Sequence, residues 1–458
     1  EHAEVKVIFV SRLLAKCLEG VKTPFLEHKI LINNFATMPE GCYQPEDLDK
    51  LVPDINLNNT TPLPEVSIEE EDIASIIYTS GTTGFSKGVV LTHKNLVWDA
   101  RQCRPIQPVD ETYRFLSILP MAHTYENTLG LLLPLMFGAQ VYYLDRVPTP
   151  KLLVPAMQKI RPTVVLSVPL IIEKIYKSQV LPKFTSSKLM SKLYRFAPAR
   201  KLFNRLAGKK LMETFGGELK FFGIGGSKLD GTVEQFLREA KFPYAIGYGL
   251  TETAPMAAGS NPSQTFLQGV GPVMEGVQIK INDPDKSGQG EIWIKGPNVM
   301  KGYYKRPELT AETFTEDGWF KTGDLGSFDK KNRLAIRGRI KTMILGASGE
   351  NIYPEEIESI INNFRFVNES LVVENSGKLV AMVHFNMEEL EKQYQKLKDQ
   401  AGNYKEKIND YIEEQKQELR DYVNARVNNF SKLQLVLVQH EPFEKTPTHK
   451  IKRFLYCK

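Results

Sequence analysis

A run of small and hydroxyl-bearing residues, "YTSGTTGFSKG", occupies residues 78–88. Eight of its eleven residues are glycine, serine or threonine, and its single lysine is Lys87. Glycine lets the backbone come close to a ligand, serine and threonine add hydroxyl donors, and lysine adds a mobile positive charge. This composition predicts a loop that binds phosphate.

The loop departs from the P-loop pattern G-x-x-x-x-G-K-[ST]. Counted from Gly81, Ser86 stands at the position of the second glycine, and Gly88 follows Lys87 where a hydroxyl residue is required. A solvent-exposed linker is the alternative interpretation. It is disfavoured because the run lies between "IASIIY" and "GVVL", which we predict to be two buried strands. The sequence thus indicates phosphate binding outside the P-loop fold.

Two further segments carry carboxylates in settings that suit a nucleotide. "YGLTET" offers an aromatic ring, a glycine, a hydroxyl and Glu252, a carboxylate that could hold Mg²⁺ together with phosphate oxygens. "GWFKTGDLG" places Asp324 in a predicted glycine-flanked turn, where it could accept hydrogen bonds from both ribose hydroxyls. Taken alone, an aspartate in such a turn more often caps or forms the turn.

Two basic segments complete the set. "GRIK" supplies Arg339, whose forked guanidinium suits phosphate or ribose, and "KTPTHKIKR" places Lys450 in a loop framed by threonine and proline. Each of the five segments is weak evidence alone. Their occurrence in this order indicates a nucleotide site that is assembled from distant parts of the chain.

The elements between these segments predict an α/β fold. Residues 73–300 alternate short apolar runs, such as "FLSIL", "TVVLSV" and "LKFFGIG", with helical stretches such as "KNLVWDARQ" and "TVEQFLREA". Such alternation is typical of a mostly parallel sheet covered by helices. Residues 276–300 predict antiparallel strands joined by a Gly- and Asp-rich turn. The remainder, with "SLVVEN" and "KLVAMVHF" as strands and a charged helical stretch at 388–429, predicts a small α+β unit.

Composition narrows the class of protein. The 458 residues are enough for two or three domains. A net charge of +5 on 59 basic and 54 acidic residues is too small a bias to indicate nucleic-acid binding. The four cysteines lie far apart without C-x-x-C spacing, which fits a reducing, cytoplasmic location and predicts no zinc site. The longest apolar run, residues 129–144, is shorter than the roughly 20 residues that span a bilayer.

One segment, residues 183–213, carries nine lysines and arginines and one acidic residue. Its apolar side chains recur at helical spacing in two groups: Leu189, Leu193 and Phe196, then Phe203 and Leu206. Pro198 interrupts the run. A basic amphipathic helix pair can lie on an anionic membrane, which predicts peripheral contact with the inner face of a membrane. The alternative is that the apolar side chains pack on the protein and the lysines are solvated.

Together the five segments resemble the adenylate-forming acyl-CoA synthetase superfamily, which includes firefly luciferase and peptide-synthetase adenylation domains. The resemblance runs from about residue 5 to residue 458 and is strongest to the long-chain fatty acid–CoA ligases. The basic insertion before "LKFFGIGGSKL" and the ending "TPTHKIKR" carry that finer likeness. The resemblance implies an AMP-forming ligase that takes a fatty acid, ATP and CoA as substrates and Mg²⁺ as cofactor.

The resemblance also implies roles for individual residues. The β- and γ-phosphates of ATP would be clasped by Thr79, Ser80, Gly81, Thr82, Thr83, Gly84 and Lys87. The adenine would be bound by Gly225, Gly226 and Ser227, with the Tyr248 ring stacked on its other face, and Gly249 would also belong to the ATP/AMP-binding set. Thr251 would contact the α-phosphate, and Glu252 would bind the metal. Asp324 would bind the ribose, and Arg339 would contact both the ribose and the phosphate. The sequence departs from the family pattern at Lys228, where many relatives have proline, and at His449, where many have glycine.

Four residues would be catalytic by the same resemblance: His123, Thr251, Glu252 and Lys450. Lys450 would reach the α-phosphate and the fatty carboxylate in the first half-reaction. His123, in "LPMAHTYEN", would line the approach of the acyl chain and the thiol. A core histidine with its hydrogen bonds satisfied is the alternative for His123.

The implied architecture has two domains. Residues 1–338 would form a large adenylate-forming domain of stacked, mostly parallel sheets with helices and a small antiparallel β subdomain. Residues 339–458 would form a mobile α+β lid, with Lys341 as its hinge. The first residues show no signal-peptide pattern. Because relatives carry more residues before the phosphate loop, we expect the large domain to lack its native N-terminal part.

Three alternatives stay open. The acid could be medium-chain or aryl, the acceptor could be a carrier protein, or the chain could be a non-catalytic relic that binds nucleotide or acyl groups. One methylene is worth only about 1–3 kcal/mol in a pocket, so the motifs do not decide the acid. Loss of Glu252, Asp324 or Lys450 would indicate a relic, and all three are present.

Overall fold

The computed structural model describes residues 2–21, 24–52, 65–80, 86–144, 146, 148–185, 187–346, 350–397, 404–445 and 451–456. The chain forms two compact units, residues 1–69 and 70–458. In the first unit, strand β1 (Val7–Val10) pairs in parallel with β2 (His28–Leu31), and β3 (Ala36–Thr37) pairs antiparallel with β2. A short helix, α1 (Pro45–Leu48), follows and places Leu48 in the small core of this unit.

The first part of the second unit alternates strands and helices, as the sequence predicts. Its strands are β4 (Ile73–Ser80), β5 (Ser86–Thr92), β6 (Arg114–Ser117), β7 (Gln140–Tyr143), β8 (Val164–Ser167), β9 (Phe221–Ile224), β10 (Tyr244–Gly249) and β11 (Met256–Gly259). Its helices are α2 (His93–Cys103), α3 (Thr124–Glu126), α4 (Leu133–Met136), α5 (Pro150–Ile160), α6 (Pro169–Ile175), α7 (Leu181–Thr185), α8 (Lys188–Arg195), α9 (Ala197–Thr214) and α10 (Gly231–Glu239).

The second part of this unit contains mainly antiparallel strands and the C-terminal helices. The strands are β12 (Gln278–Asn282), β13 (Gly290–Lys295), β14 (Gly302–Tyr303), β15 (Phe320–Phe328), β16 (Leu334–Arg339), β17 (Ile344–Leu345), β18 (Asn351–Ile352), β19 (Val367–Asn375), β20 (Lys378–Phe385) and β21 (Leu435–Val438). The helices are α11 (Pro307–Thr313), α12 (Pro354–Ile361), α13 (Met387–Leu397) and α14 (Tyr404–Asn424).

A six-stranded sheet with the order β11-β10-β9-β8-β6-β7 forms the centre of the second unit. All its neighbouring pairs are parallel except β10–β11. Successive residues of β8 point to two different cores, Val164 and Leu166 to one and Val165 to the other. Burial on both faces explains why the predicted strands read as continuous apolar runs.

Two smaller sheets confirm the rest of the predicted fold class. Strands β12, β13, β15 and β16 form an antiparallel sheet, and β19, β20 and β21 form a three-stranded sheet beside α12 and α14. Between them, residues 340–342 form a short 3₁₀ turn in which Lys341 is exposed. The chain is thus α/β with an antiparallel part and an α+β part. The boundary between residues 338 and 339, and the hinge role of Lys341, remain predictions.

The two strands beside the phosphate loop differ in burial. Val89 and Leu91 of β5 are fully buried, which confirms the prediction for this strand. The prediction is wrong for β4, where Ile73 is 50% and Tyr78 40% exposed. Strand β4 is the edge of the antiparallel sheet β14-β5-β4, so only one of its sides is covered by a neighbouring strand.

The basic segment forms three consecutive helices, α7 to α9. The chain leaves helical geometry at Phe196, and Pro198 lies in the first turn of α9, where its missing N–H costs no hydrogen bond. Phe203 packs against Phe184, with ring centres 5.7 Å apart. Four other apolar side chains of the predicted stripe are exposed: Leu189, Leu193, Phe196 and Leu206. Within the described ranges, no helix is both long enough and apolar enough to cross a bilayer.

Candidate active site

A partly buried ion pair joins the phosphate loop to the "YGLTET" segment. The Nζ atom of Lys87, on β5, lies 2.8 Å from Oε1 of Glu252. The same oxygen accepts a hydrogen bond of 2.9 Å from the hydroxyl of Tyr303, on β14. Lys87 also donates to this hydroxyl and lies 4.2 Å from the centre of the tyrosine ring. Three side chains that are far apart in sequence therefore share one point.

The electrostatics of this cluster keep Glu252 ionised. Burial acts to raise the pKa of its carboxyl, but the Lys87 ammonium and the hydrogen bonds from Lys87 and Tyr303 outweigh burial and hold the pKa below its ordinary value. Burial, reinforced by the Glu252 charge, raises the pKa of Tyr303, so this phenol stays a donor. The cluster presents a fixed carboxylate beside a fixed ammonium, the arrangement needed for a metal-bound polyphosphate.

A second cluster surrounds Asp324. Its Oδ2 accepts a hydrogen bond of 2.9 Å from the Tyr248 hydroxyl, and its Oδ1 lies 2.9 Å from Nε of Arg339. The prediction that Asp324 lies in a turn is wrong, because the residue is inside β15 and pairs across the ladder with Arg339 of β16. The glycine that precedes it, Gly323, has a positive φ of 70°, which gives the local sequence its turn-like character.

The two clusters lie in one region. Tyr248 and Glu252 belong to the same short segment, which leaves β10 and enters a 3₁₀ turn at Thr251–Thr253. The Glu252 carboxylate also acts electrostatically on Arg339, together with Asp324. Lys87, Tyr248, Glu252, Asp324 and Arg339 are thus brought together, as a shared nucleotide site requires.

The segment between β10 and β11 is held in place by close backbone packing and one asparagine. A Cβ atom on Gly249 would lie 1.6 Å from the carbonyl oxygen of Pro255, so no other residue fits there. The fully buried Asn298 donates from Nδ2 to the carbonyl oxygens of Thr253, at 3.1 Å, and Met256, at 2.6 Å. These contacts fix the turn that carries Thr251 and Glu252.

The predicted adenine loop follows β9. Gly225 is buried against the ring of Tyr125, which a Cβ at this position would meet at 3.3 Å. Gly226, with a φ of 88°, and Ser227 are exposed. Tyr125 belongs to α3, whose N-cap is His123. The helix that begins at His123 therefore packs directly on the loop.

Glu126, the next residue of α3, is a buried carboxyl. It is 2% exposed, its Oε2 has no hydrogen-bond partner in the described part of the chain, and burial raises its pKa to about 7. Gly130 makes room for it, because a Cβ there would lie 2.5 Å from Oε1 of Glu126. At neutral pH a large fraction of this carboxyl is protonated.

This carboxyl predicts a pH dependence of stability. The unfolded chain ionises Glu126 near its ordinary pKa of 4.5, whereas the folded chain does so near pH 7, so the folded form holds the extra proton between these values. The free energy of unfolding should therefore fall, by about 3 kcal/mol, as pH rises through this window. Urea unfolding from pH 4.5 to 8 should show a fall in the free energy of unfolding that is smaller by about 3 kcal/mol in Glu126→Gln than in the wild type. Glu358, whose pKa burial also raises to about 7, contributes to the fall in both proteins. The exposed control Glu111→Gln should keep the whole wild-type fall. A fall in Glu126→Gln as large as that of the wild type contradicts the assignment.

Some predicted site residues are not placed. Gly81, Thr82, Thr83, Gly84 and Lys450 lie outside the described residues. At the end of β4, the Thr79 hydroxyl is buried without a hydrogen-bond partner among the described residues, and Ser80 is placed by its backbone only. An unpartnered hydroxyl at the start of the loop is what a phosphate oxygen would satisfy.

The residues fit a metal that is held mainly by its ligand. Within the parts of the chain that the structure describes, no group of three or more histidine, cysteine, aspartate or glutamate side chains could hold a metal ion. Mg²⁺ needs only one or two carboxylates when phosphate oxygens and water complete its shell. Glu252, ionised and next to Lys87, meets this requirement.

The structure adds residues that the motifs did not single out. Tyr303 lies in "KGYYKRPEL", shortly before α11, which begins at Pro307. The neighbouring Gly302 was the feature of the sequence that could have pointed to Tyr303. Tyr125 lies two residues after His123 in a segment already quoted. Asn298 and Asp99 carry no local signal, since only the tertiary fold aims Asp99 Oδ2 at the backbone N–H of Met256, 3.4 Å away.

Comparison with known proteins gives one consistent result. Residues 1–304 match the model of the AMP-binding enzyme family. The chain is 30% identical over 434 residues to the peroxisomal long chain acyl-CoA synthetase 6 of Arabidopsis thaliana, covering 87% of this chain and 61% of that protein. It is 28% identical over 452 residues to fatty acyl-CoA synthetase A of Dictyostelium discoideum, covering 90% and 65%. It thus spans less than two-thirds of the length of either relative.

Solved structures agree on the fold. The ATP-bound MatB of Rhodopseudomonas palustris superposes with a TM-score of 0.72 at 22% identity, over 99% of this chain and 79% of MatB. This likeness confirms the predicted fold class.

Proposed function

Because this chain belongs to the AMP-binding enzyme family, we propose that the protein is an AMP-forming long-chain fatty acid–CoA ligase. The observation that carries the proposal is the convergence of Lys87 and Glu252 with Asp324 and Arg339 in one region. The names of the relatives support a long-chain fatty acid as substrate. Adenylation of a medium-chain or aryl acid, and transfer to a carrier protein, are outcomes that the test below distinguishes.

The first half-reaction makes a poor electrophile reactive. A carboxylate oxygen of the fatty acid attacks the α-phosphorus of ATP, the bond to the bridging oxygen breaks, and pyrophosphate leaves. Such transfers depend on positioning and on charge neutralisation in a site that excludes water. Lys87 would neutralise the outer phosphates, Asp324 would hold the ribose, and Lys450 would orient the fatty carboxylate on the α-phosphate. Mg²⁺, held by Glu252 and phosphate oxygens, would supply further positive charge.

The second half-reaction transfers the acyl group. The thiol of CoA forms a bond to the acyl carbon of the acyl-adenylate, and AMP leaves with the bonding electrons and the thiol proton. No covalent bond to the enzyme is required. His123 and Tyr125, on the helix that packs against the Gly225–Ser227 loop, would line the approach of the thiol. The segment after Lys341 would move as a lid between the two steps.

The decisive test is ATP–pyrophosphate exchange with fatty acids of graded length, followed by product analysis with CoA. We expect exchange to be fastest with long-chain acids and to yield acyl-CoA and AMP. Faster exchange with medium-chain or aryl acids would overturn the substrate assignment. Nucleotide binding without exchange for any acid would indicate a non-catalytic relic.

We expect Lys450→Ala to separate the two half-reactions. Loss of a charged group that acts only in the first transition state should lower adenylate formation by about 10²–10³-fold. Thioester formation from supplied acyl-AMP should stay within a few-fold of wild type. Lys452→Ala is the control, because it removes a lysine that lies two residues after Lys450 and pairs with Glu444. It should leave both rates nearly unchanged. Equal loss of both half-reactions in Lys450→Ala would refute the assignment.

We also propose that helices α8 and α9 contact an anionic membrane surface. Leu189, Phe196 and Leu206 are 68%, 63% and 61% exposed, in a segment with nine basic residues. Apolar side chains that are mostly exposed can enter the headgroup boundary while the lysines meet anionic lipid. This contact would bring the enzyme to the source of its fatty acid.

Vesicle binding tests this contact. With phosphatidylserine-containing vesicles, we expect the double variant Leu189→Ser/Phe196→Ser to bind at least about tenfold more weakly than wild type, because two apolar side chains no longer enter the bilayer. Leu170→Ser, on α6 and 48% exposed, is the matched control and should bind like wild type. Unchanged binding of the double variant, or after neutralisation of the lysines in residues 183–213, would end the proposal.

A further inference from the structure

Helix α12 and the two residues after it contact the body of the second unit through polar groups. The Nδ2 atom of Asn363 donates a hydrogen bond to Oδ2 of Asp230. The hydroxyl of Ser359 donates to the same oxygen at 3.2 Å. Glu356 Oε1 lies 3.3 Å from Nζ of Lys228. We name the set formed by Lys177, Lys228, Asp230, Glu356, Ser359, Asn362 and Asn363 the α12 latch.

Asp230 is the centre of the α12 latch. It is 7% exposed, and its Oδ1 caps α10 by accepting hydrogen bonds from the backbone N–H groups of Thr232 and Val233. Its own backbone N–H donates to Glu173 Oε1 at 2.9 Å. Since Oδ1 is used within the body and Oδ2 is used by the α12 side, one buried carboxylate serves both.

Lys177 adds a contact at the C-terminal end of α12. Its Nζ donates to the backbone carbonyl oxygen of Asn362, the C-cap of α12. A cation at this end interacts favourably with the partial negative charge of the helix C-terminus. Asn362 is itself oriented by Ser370 Oγ of β19, 2.9 Å from its Oδ1. Burial lowers the pKa of Lys177, so the ammonium depends on this acceptor and on its acidic neighbours.

The position of the α12 latch connects it to the nucleotide site. Lys228 directly follows Ser227, the last residue of the predicted adenine loop, and Asp230 lies three residues after Ser227, at the N-cap of α10. On the other side, α12 begins 12 residues after the 3₁₀ turn Ile340–Thr342, which precedes it in the chain. A movement of the C-terminal segment about this turn must therefore break hydrogen bonds at the end of the adenine loop.

We propose that the α12 latch holds the C-terminal segment on the body and that its opening controls the passage between the two half-reactions. The control of the two half-reactions rests on the proposed function, whereas the docking of the C-terminal segment rests on the contacts alone. Hydrogen bonds to charged, buried groups are the strong ones, so their loss should shift the docked segment measurably toward the open form. The contact joins two parts of the same chain, the body of the second unit and the segment that contains α12.

Limited tryptic cleavage after Arg339 and Lys341 tests whether the α12 latch holds the C-terminal segment on the body. This test needs no measurement of enzyme activity. We expect Lys177→Met to be cleaved there about tenfold faster than wild type, since the lost charge-assisted hydrogen bond stabilises the docked form. Lys174→Met removes a lysine from the same region whose side chain is exposed, and should be cleaved like wild type. Asn363→Ala, a smaller change on the other side of the contact, should also be cleaved faster, and it decides the matter if Lys177→Met does not fold.

The rates of the two half-reactions test whether opening of the α12 latch controls the passage between them. In Lys177→Met and Asn363→Ala, the ratio of adenylate formation to thioester formation should change at least fivefold from wild type, a shift that general loss of structure would not produce. Cleavage of both variants at the wild-type rate would overturn the latch. Faster cleavage with an unchanged ratio would overturn its control of the reaction. If the wild-type protein forms no adenylate, the proposed function fails, whereas the cleavage comparison still decides on the latch.

Discussion

Glu252→Gln should lower the rate of ATP–pyrophosphate exchange by about 10³-fold, at the upper end of what the loss of one preorganised charge costs. The carboxylate is 7% exposed, and its Oε1 meets Lys87 and Tyr303. An amide at this position carries no charge for a metal, and it leaves the Lys87 ammonium without its counter-charge in a half-buried site. Both effects act on the polyphosphate.

Exchange rates at saturating ATP and Mg²⁺ check this expectation, with thermal unfolding as the test of folding. Glu275→Gln is the matched control, because Glu275 is exposed and lies in the loop between β11 and β12. It should leave exchange within about twofold of wild type, as surface substitutions usually do. If Glu252→Gln kept more than a tenth of the wild-type rate, neither the metal assignment nor the role of the Lys87 pair would stand.

The second large effect is expected at Asp324. Asp324→Asn should raise the KM for ATP by about 10²-fold, because the proposed function makes Asp324 the charged acceptor of the ribose hydroxyls. An amide next to the Arg339 guanidinium cannot replace that charge. Asp324 is 4% exposed, so water does not compensate for the loss. The Tyr248 hydroxyl loses its charged acceptor as well.

A control exists in the same hairpin. Asp329, the residue that follows β15, accepts hydrogen bonds of 2.8 Å and 2.6 Å from Arg333. Asp329→Asn breaks an aspartate–arginine contact of similar geometry away from the site and should leave the KM for ATP unchanged. A KM that is equal in the two variants would show that the effect belongs to the hairpin and not to nucleotide binding.

Much of the fold followed from local physics. A strand buried on both faces is apolar at nearly every position, so β8 and β9 could be predicted directly from "TVVLSV" and "LKFFGIG". Antiparallel β12 and β13 could equally be predicted from the sequence, since a Gly- and Asp-rich turn separates them. Burial was not accessible where it depends on distant neighbours, as in β4, whose exposed edge results from its place in the sheet.

The candidate site shows the same division. Side-chain chemistry and spacing alone indicated which residues could bind a nucleotide: Lys87 in its loop, Glu252 after a glycine, Asp324 and Arg339 in their short motifs. Only the tertiary structure decided their partners. Lys87 meets Glu252 across 165 residues and Tyr303 across 216, and Asp324 lies in a strand where the local sequence predicted a turn. The physical reason is that residue type is a local property, whereas hydrogen-bond geometry and burial depend on strand register and on packing between segments that are distant in sequence.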